Sequence, residues 1–301
     1  MPSSANTKLS SEQIAFYEEN GYLVVPNVFE EKILKEISDI ASELANEAKK
    51  IEVVGENDAF MDLRGSSVVL KKNEKTKELT IKRIVWAGAA SPKLLSFGRD
   101  PRIIGPVSQL LKQQEADHLI NQLHFKHKGD DVEFLHHQDS QNRFAFDPQW
   151  QDDEGRSFVQ TILAVDDNTL TNGPLCIYPR SNKLGFLNFG KHMRREELDI
   201  FLEEKKISPD KLGSALPMLM KRGDMLFMHP HIIHFSKPNA SSETTESRRL
   251  IFINGYARPN ANHQPYPGKN SGKRVDLTTG KEKKSKANST AAAECTVQIT
   301  Y

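Results

Sequence analysis

Long apolar runs, cysteines and a dominant charge are what this 301-residue sequence lacks. No stretch approaches the roughly 18 to 20 apolar residues that span a bilayer, which argues against a helical membrane protein. The opening residues, Met1 to Gln13, hold no apolar segment, so neither a secretory signal nor an Arg-rich transit peptide is read there. Two cysteines, Cys176 and Cys295, cannot build a disulfide framework, and a reduced intracellular protein is expected. The closing Ile299-Thr300-Tyr301 does not match a peroxisomal address, which leaves the cytoplasm as the expected location. With 41 basic and 40 acidic side chains the formal net charge is +1. No long-range field then favours nucleic acid or a membrane surface as partner. There is no internal repeat, and the oligomeric state leaves no trace in the composition.

What is there begins with helices. Ser10 and Gln13 form a capping box, Ile14, Phe16 and Tyr17 follow, and Gly21 stands where a C-terminal cap belongs. Tyr22 to Val25 reads as a short strand stopped by Pro26. From about Glu30, the residues Ile33, Leu34, Ile37, Ile40, Ala41 and Leu44 set an apolar stripe at helical spacing, a core face without chemistry. Beyond Leu79 short β-rich runs follow in series: Thr80–Trp86, Leu119–Lys126, Val159–Val165, Leu175–Tyr178, Asp224–Met228 and Leu250–Tyr256. Helices are expected at Pro101–Gln113 and Arg195–Lys205. This pattern predicts a mainly β fold with flanking helices (α+β), built on a sandwich or jelly roll. One domain is expected over residues 1–260, followed by a C-terminal extension, 261–301, whose Lys-rich end reads as a solvated tail.

The densest local signal is Leu135-His136-His137-Gln138-Asp139. Residues two apart on a strand share a face, so His137 and Asp139 could aim an imidazole and a carboxylate at one point. A second histidine from a distant strand would complete a two-histidine, one-carboxylate set, which suits iron(II) and leaves positions open for a co-substrate and dioxygen. A lone His-x-Asp pair is weak evidence, since most such pairs are incidental. A second region strengthens it: Gly223-Asp224 leads to His229, His231 and His234, then Ser236, Pro238-Asn239 and Arg248-Arg249. On spacing alone the three histidines compete for the distal ligand place. Zinc sites usually use cysteine and histidine sets, and an arginine on the following strand is foreign to them. An arginine is instead well made to hold a carboxylate by two parallel hydrogen bonds.

These motifs, in this order, resemble the phytanoyl-CoA dioxygenase family of Fe(II)/2-oxoglutarate-dependent oxygenases. The likeness runs from Phe16-Tyr-Glu-Glu-Asn-Gly-Tyr-Leu-Val-Val-Pro26 through His137-Gln-Asp139, Val165-Asp-Asp-Asn168 and Asn172-Gly-Pro-Leu-Cys-Ile-Tyr-Pro-Arg-Ser-Asn182 to Tyr256. It implies a double-stranded β-helix (a jelly roll, cupin-like) with helices packed outside. It implies His137, Asp139 and His234 as metal ligands, with His229 and His231 structural or supporting the ligands from behind. Arg248 is the first choice for the 2-oxoglutarate carboxylate and Arg249 the second, because neighbours on a strand face opposite ways and only one can reach the site. Ser236 is placed beside that carboxylate, and His124 on the Leu119–Lys126 strand at a co-substrate contact.

The cofactors implied are Fe(II), 2-oxoglutarate and O2, and the reaction expected is hydroxylation of an aliphatic C–H in a small-molecule metabolite or natural-product intermediate, with release of succinate and CO2. Related halogenases replace the carboxylate ligand by a small residue; Asp139 keeps it, which favours oxygen insertion. Arg143, Phe144, Phe146 and Trp150 are candidate pocket-wall residues, with a packed lid as the plainer reading, and Lys82, Arg83 and Trp86 raise the same possibility. Cys176 reads as an inert core thiol. The competing reading is a metal-binding jelly roll with an isomerase-like or sensor role, which would have no use for an arginine clamp.

Overall fold

The computed structural model describes residues 8–51, 60–72, 79–141, 157–242, 248–259 and 272–283. The expected capping box is present: Ser10 Oγ accepts from the Gln13 amide and the Gln13 side chain accepts from the Ser10 amide, which starts α1 (Ser11–Asn20). Gly21 ends it in the left-handed conformation, φ +78°, with its amide on the Tyr17 carbonyl. The chain turns directly into β1 (Tyr22–Val25) and then α2 (Glu31–Ala48), whose buried stripe is Leu34, Ile37, Ala41 and Leu44. Three helices lie in the middle of the chain, α3 (Ala87–Ala90), α4 (Pro92–Gly98) and α5 (Pro101–Leu111), and α6 (Arg195–Glu204) follows later.

The strands form two antiparallel sheets. In order along the larger one stand β1, β10 (Met225–Met228), β7 (Phe158–Ala164), β12 (Arg249–Ala257), β5 (Glu115–Lys126), β4 (Leu79–Val85), β3 (Ser66–Lys72) and β2 (Phe60–Leu63). A further strand, β13 (Lys273–Asp276), pairs with residues 115–118 of β5 on the edge that β4 occupies farther along. Residues beyond the expected boundary at 260 therefore return to the main sheet, and Val275 and Leu277 are buried. The smaller sheet runs β6 (Phe134–His137), β11 (His234–Ser236), β8 (Leu175–Ile177), β9 (Leu216–Pro217).

The pleat assigns the faces of the larger sheet. Leu123, Phe125, Leu163, Leu250 and Phe252 join the stripes of α2 and α5 in one core. The alternate residues, among them Ile162, Ile251 and Ile253, face the smaller sheet and pack with Leu175, Ile177 and Ile232. Leu119 is an extra residue in β5, since Gly255 opposes Ile120 and Tyr256 opposes His118; the bulge reverses the facing of β5 on either side of it. The smaller sheet is backed in turn by α6 through Tyr178, Leu198, Leu202 and Ile233. Two sheets face to face with helices outside is the expected jelly-roll arrangement. No helix among the described residues is long and apolar enough to cross a membrane.

Removing Ile37, fully buried under the larger sheet, is predicted to cost about 2–5 kcal/mol. Chemical denaturation of Ile37→Ala checks this; a loss below about 1 kcal/mol would mean that α2 is not integral to the core.

Candidate metal centre

Between the two sheets, β6 and β11 pair so that His137 stands directly across from His234. Their ring centroids are 4.1 Å apart. Each ring is fixed from behind by the backbone two residues earlier: His137 Nδ1 donates to the Leu135 carbonyl at 2.7 Å and His234 Nδ1 to the Ile232 carbonyl at 3.0 Å. A carbonyl can only accept, so Nδ1 carries the proton and the Nε2 lone pair is left for a metal. Burial, then the neighbouring His234 and His192, hold His137 well below the usual histidine range, which keeps it neutral.

Asp139 does not share the strand with His137. The strand ends at His137, and Asp139 opens a helical turn over residues 139–141. The turn, and not strand alternation, carries the carboxylate to the imidazoles. Asp139 Oδ1 lies 3.9 Å from His234 Nε2, and one ligand atom from each of His137, Asp139 and His234 lies within 4.8 Å of the others. All three residues are buried. Two imidazole nitrogens and a carboxylate at this mutual spacing fit a divalent iron with open positions on the far side. Gln138 pins the turn: its Nε2 donates to the carbonyls of Gly185 (2.8 Å) and His231 (2.7 Å), and its Oε1 accepts from the Leu187 amide at 2.9 Å.

The other histidines separate from this set. His231 meets Ser140 Oγ through Nδ1 at 2.9 Å, and His229 Nδ1 accepts from the His231 amide, so both brace the loop before β11. His136 faces the other way, with Nδ1 on the Met193 carbonyl and Nε2 3.3 Å from the Tyr178 hydroxyl. His192 was not legible in the sequence. It lies flat against His137, with centroids 4.2 Å apart, and burial with His234, Lys82 and Arg83 nearby pushes it down to about 4. A single histidine in a loop carries no spacing signal that could have found it.

His137, Asp139 and His234 line a cleft of about 780 Å³ between the sheets, open mouth included. Its lining is apolar at Ile120, Ile162, Ile251 and Ile253 and cationic at Arg83 and the buried Arg249. The two candidate arginines point opposite ways. Arg248 precedes β12 and turns outward, where its Nε and Nη2 donate to the Asp166 carboxylate at 2.8 and 3.0 Å and its guanidinium reaches Ser38 and Ser42 of α2. Arg249, the first residue of β12, points the opposite way into the cleft, as strand alternation requires. It is 1 % exposed, its Nε has no hydrogen-bond partner, and burial pushes its pKa down to about 10.

Ser236 and His124 also reach the cleft. His124 Nε2 meets Gln122 Oε1 at 2.9 Å and its ring stacks on Phe134. Burial, then Arg83, Arg249, Lys82 and Lys126, hold it well below the usual histidine range, so it is neutral among cations. Arg83 lines the cleft, and Lys82 Nζ sits 4.8 Å from the Phe134 ring centroid. Trp86 does not take part: it is buried with Val69 and Val85 and meets His118 edge-on. Cys176 is half-buried, with its thiol pushed up by burial. Arg143, Phe144, Phe146, Trp150 and Cys295 lie outside the described residues.

The family model for phytanoyl-CoA dioxygenase matches residues 17–250. Phytanoyl-CoA dioxygenase 1 of Oryza sativa subsp. japonica is 27% identical over 272 residues, covering 81% of this chain and 89% of its own. Ectoine dioxygenase of Bordetella bronchiseptica is 23% identical over 77% of this chain and 71% of its own. Among solved structures, EctD from S. alaskensis with 2-oxoglutarate and 5-hydroxyectoine superposes with a TM-score of 0.65 at 17% identity, covering 92% of this chain and 89% of that one. SnoK, the non-heme alpha-ketoglutarate-dependent carbocyclase of nogalamycin biosynthesis, gives 0.62 at 19% identity over 90% and 91%. Both likenesses are of fold.

His234→Ala is predicted to weaken Fe(II) or Co(II) binding by more than about 100-fold, and Gln138→Ala by about 10-fold through loss of positioning. His231→Ala should bind one metal per chain with ordinary affinity. Anaerobic metal titration checks all three, and a His231→Ala variant that lost the metal would move the distal ligand.

Proposed function

The chain belongs to the phytanoyl-CoA dioxygenase family, and we propose that it is an Fe(II)- and 2-oxoglutarate-dependent dioxygenase that hydroxylates an aliphatic C–H of a small molecule. The observation that carries this reading is that one cleft holds both a buried two-histidine, one-carboxylate set and a buried arginine whose Nε has no partner. Bound there, iron(II) and 2-oxoglutarate supply the dioxygen-dependent oxidation of a C–H bond, with succinate and carbon dioxide as by-products.

The residues of the chain do the holding and the excluding. His137 and His234 offer Nε2 lone pairs, and Asp139 offers a carboxylate oxygen on the same side. Arg249 takes the far carboxylate of the dicarboxylic co-substrate, with the Ser236 hydroxyl beside it. An unanswered guanidinium in a low-dielectric site is costly, and an arriving carboxylate converts that cost into attraction. The isoleucines of β5, β7 and β12 keep water from the oxidising centre and strengthen each charge–charge contact inside. Selectivity is a matter of which C–H the cleft walls hold near the metal. An isomerase-like or sensor site would leave Arg249 with no anion to answer it.

The test is succinate release coupled to 2-oxoglutarate loss, in air with added Fe(II), across a panel of small-molecule substrates. Asp139→Ala should abolish turnover. Arg249→Ala should raise the KM for 2-oxoglutarate by about 10- to 100-fold, the worth of a lost charge-assisted pair. Arg248→Ala should lower stability and leave that KM within about twofold. A wild-type protein that neither binds nor consumes 2-oxoglutarate would end the oxygenase reading.

A further inference from the structure

Lys126 closes β5 and is completely buried. Its Nζ donates to Ser236 Oγ at 2.8 Å and to the Lys237 carbonyl, and it lies 5.7 Å from the centroid of the Phe134 ring. Its partner across the β5–β12 ladder is Arg249, so two buried cations face each other on neighbouring strands. Among the described residues no carboxylate lies within ion-pair distance of Lys126. Burial, then Arg249, pull its ammonium well below the usual lysine range. An apolar side chain of similar length would fill this space at lower cost, because a buried charge without a counter-ion is strongly unfavourable. Like charges directly opposite in a ladder are unfavourable as well.

The direction of the hydrogen bond explains what the lysine gives in return. An ammonium only donates. Ser236 Oγ therefore accepts from Lys126 and has its own hydrogen left to donate. Ser236 lines the cleft together with Arg249. The second acceptor of Lys126 is built in: the Lys237 carbonyl lies against Gly173, which sits at φ +72°, and a Cβ there would come within 2.5 Å of that oxygen. Two fixed acceptors therefore hold the ammonium, one of them a side chain of the cleft.

We propose that Lys126 is a positioning residue for the 2-oxo acid co-substrate, turning the Ser236 hydroxyl hydrogen toward the carboxylate held by Arg249. The proposal rests on the co-substrate reading above and names a residue that the reading does not require.

The experiment is anaerobic titration of the Fe(II)-loaded protein with 2-oxoglutarate, following the visible absorbance that a 2-oxo acid chelated to Fe(II) produces. The proteins compared are wild type, Lys126→Met, Ser236→Ala and the double variant. Pyruvate, a 2-oxo acid without the far carboxylate, is titrated in parallel. Lys126→Met is expected to weaken 2-oxoglutarate binding about tenfold, the worth of a hydrogen bond to a charged group, and to leave pyruvate within about twofold. The double variant should be no weaker than the weaker single variant by more than about threefold, because the lysine acts through the serine. Equal loss for both 2-oxo acids would mark a merely structural role and overturn the proposal, as would unchanged 2-oxoglutarate affinity or full additivity. If Lys126→Met lacks a cooperative melting transition, Lys126→Gln, which removes the charge and the reach, carries the same test with the same outcomes. A wild-type protein that binds iron but shows no 2-oxoglutarate band overturns the function proposed above, and this inference with it.

Discussion

One extra residue in a two-strand ladder sets the geometry of the cleft. Across the β6–β11 pair, His137 opposes His234 and Phe134 opposes Ser236, so three steps along β6 match two along β11. Residues three apart on a regular strand face opposite ways. The bulge removes that conflict, and both Phe134 and His137 line the cleft. Without it, either the imidazole or the phenyl ring would turn to the outer core, where Tyr178 and Ile233 pack. The register is pinned on both sides. The His136 and Met193 backbones exchange hydrogen bonds at 3.0 and 3.1 Å, and the Ser140 amide donates to the Pro230 carbonyl at 3.0 Å. A one-residue slip would break these bonds and turn the metal-facing side chains away together.

The cationic part of the cleft shows the opposite economy, with charges placed where the sheet alone would be more stable without them. Arg249 and Lys126 begin and end their strands opposite one another, both buried. The rest of the β5–β12 ladder, down to Ala257 opposite Asp117, is almost wholly buried and supplies the cohesion that tolerates this repulsion. His124 takes the position between Arg83 and Arg249 as a neutral ring, so it adds polarity without a further charge. Arg248 illustrates the contrasting use of the same side chain. One residue away, it is answered in full by Asp166 and by serines of α2, and it fastens helix to sheet.

Local patterns made much of the fold legible. The capping box at Ser10, the stripe of α2 and the strands β1, β5, β7, β10 and β12 lie within a few residues of their sequence expectation, because each rests on periodicity or on a cap. The strands that escaped notice are β2, β3, β9 and β13. The last is a polar edge strand, Lys-Arg-Val-Asp, whose single buried residue is Val275. At the site, the histidines and the aspartate were legible as residue types in order, but the reason for their convergence was not: Asp139 arrives on a turn. The choice between Arg248 and Arg249 depends on the parity of β12, which the length of a preceding loop does not fix. Lys126 was hidden more completely. A lysine at the end of a strand reads as solvated, and its burial comes from Ser236 and Lys237, more than a hundred residues away.

The β6–β11 ladder also joins the two ends of the cleft mechanically. His234 and Ser236 are two residues apart on β11, about 7 Å along an extended strand, and both face inward. On the proposed reading, one of them holds the metal and the other the far carboxylate of a molecule that must touch both. The length of that molecule is then measured against rigid backbone, with Lys126 locking Ser236 and the Ile232 carbonyl locking His234. A 2-oxo acid one methylene longer or shorter would have to leave either the metal or the hydroxyl. On that reading, selection of the co-substrate follows from strand geometry, which leaves residues on the metal side of the cleft, such as His192 stacked on His137, to differ with the molecule being oxidised.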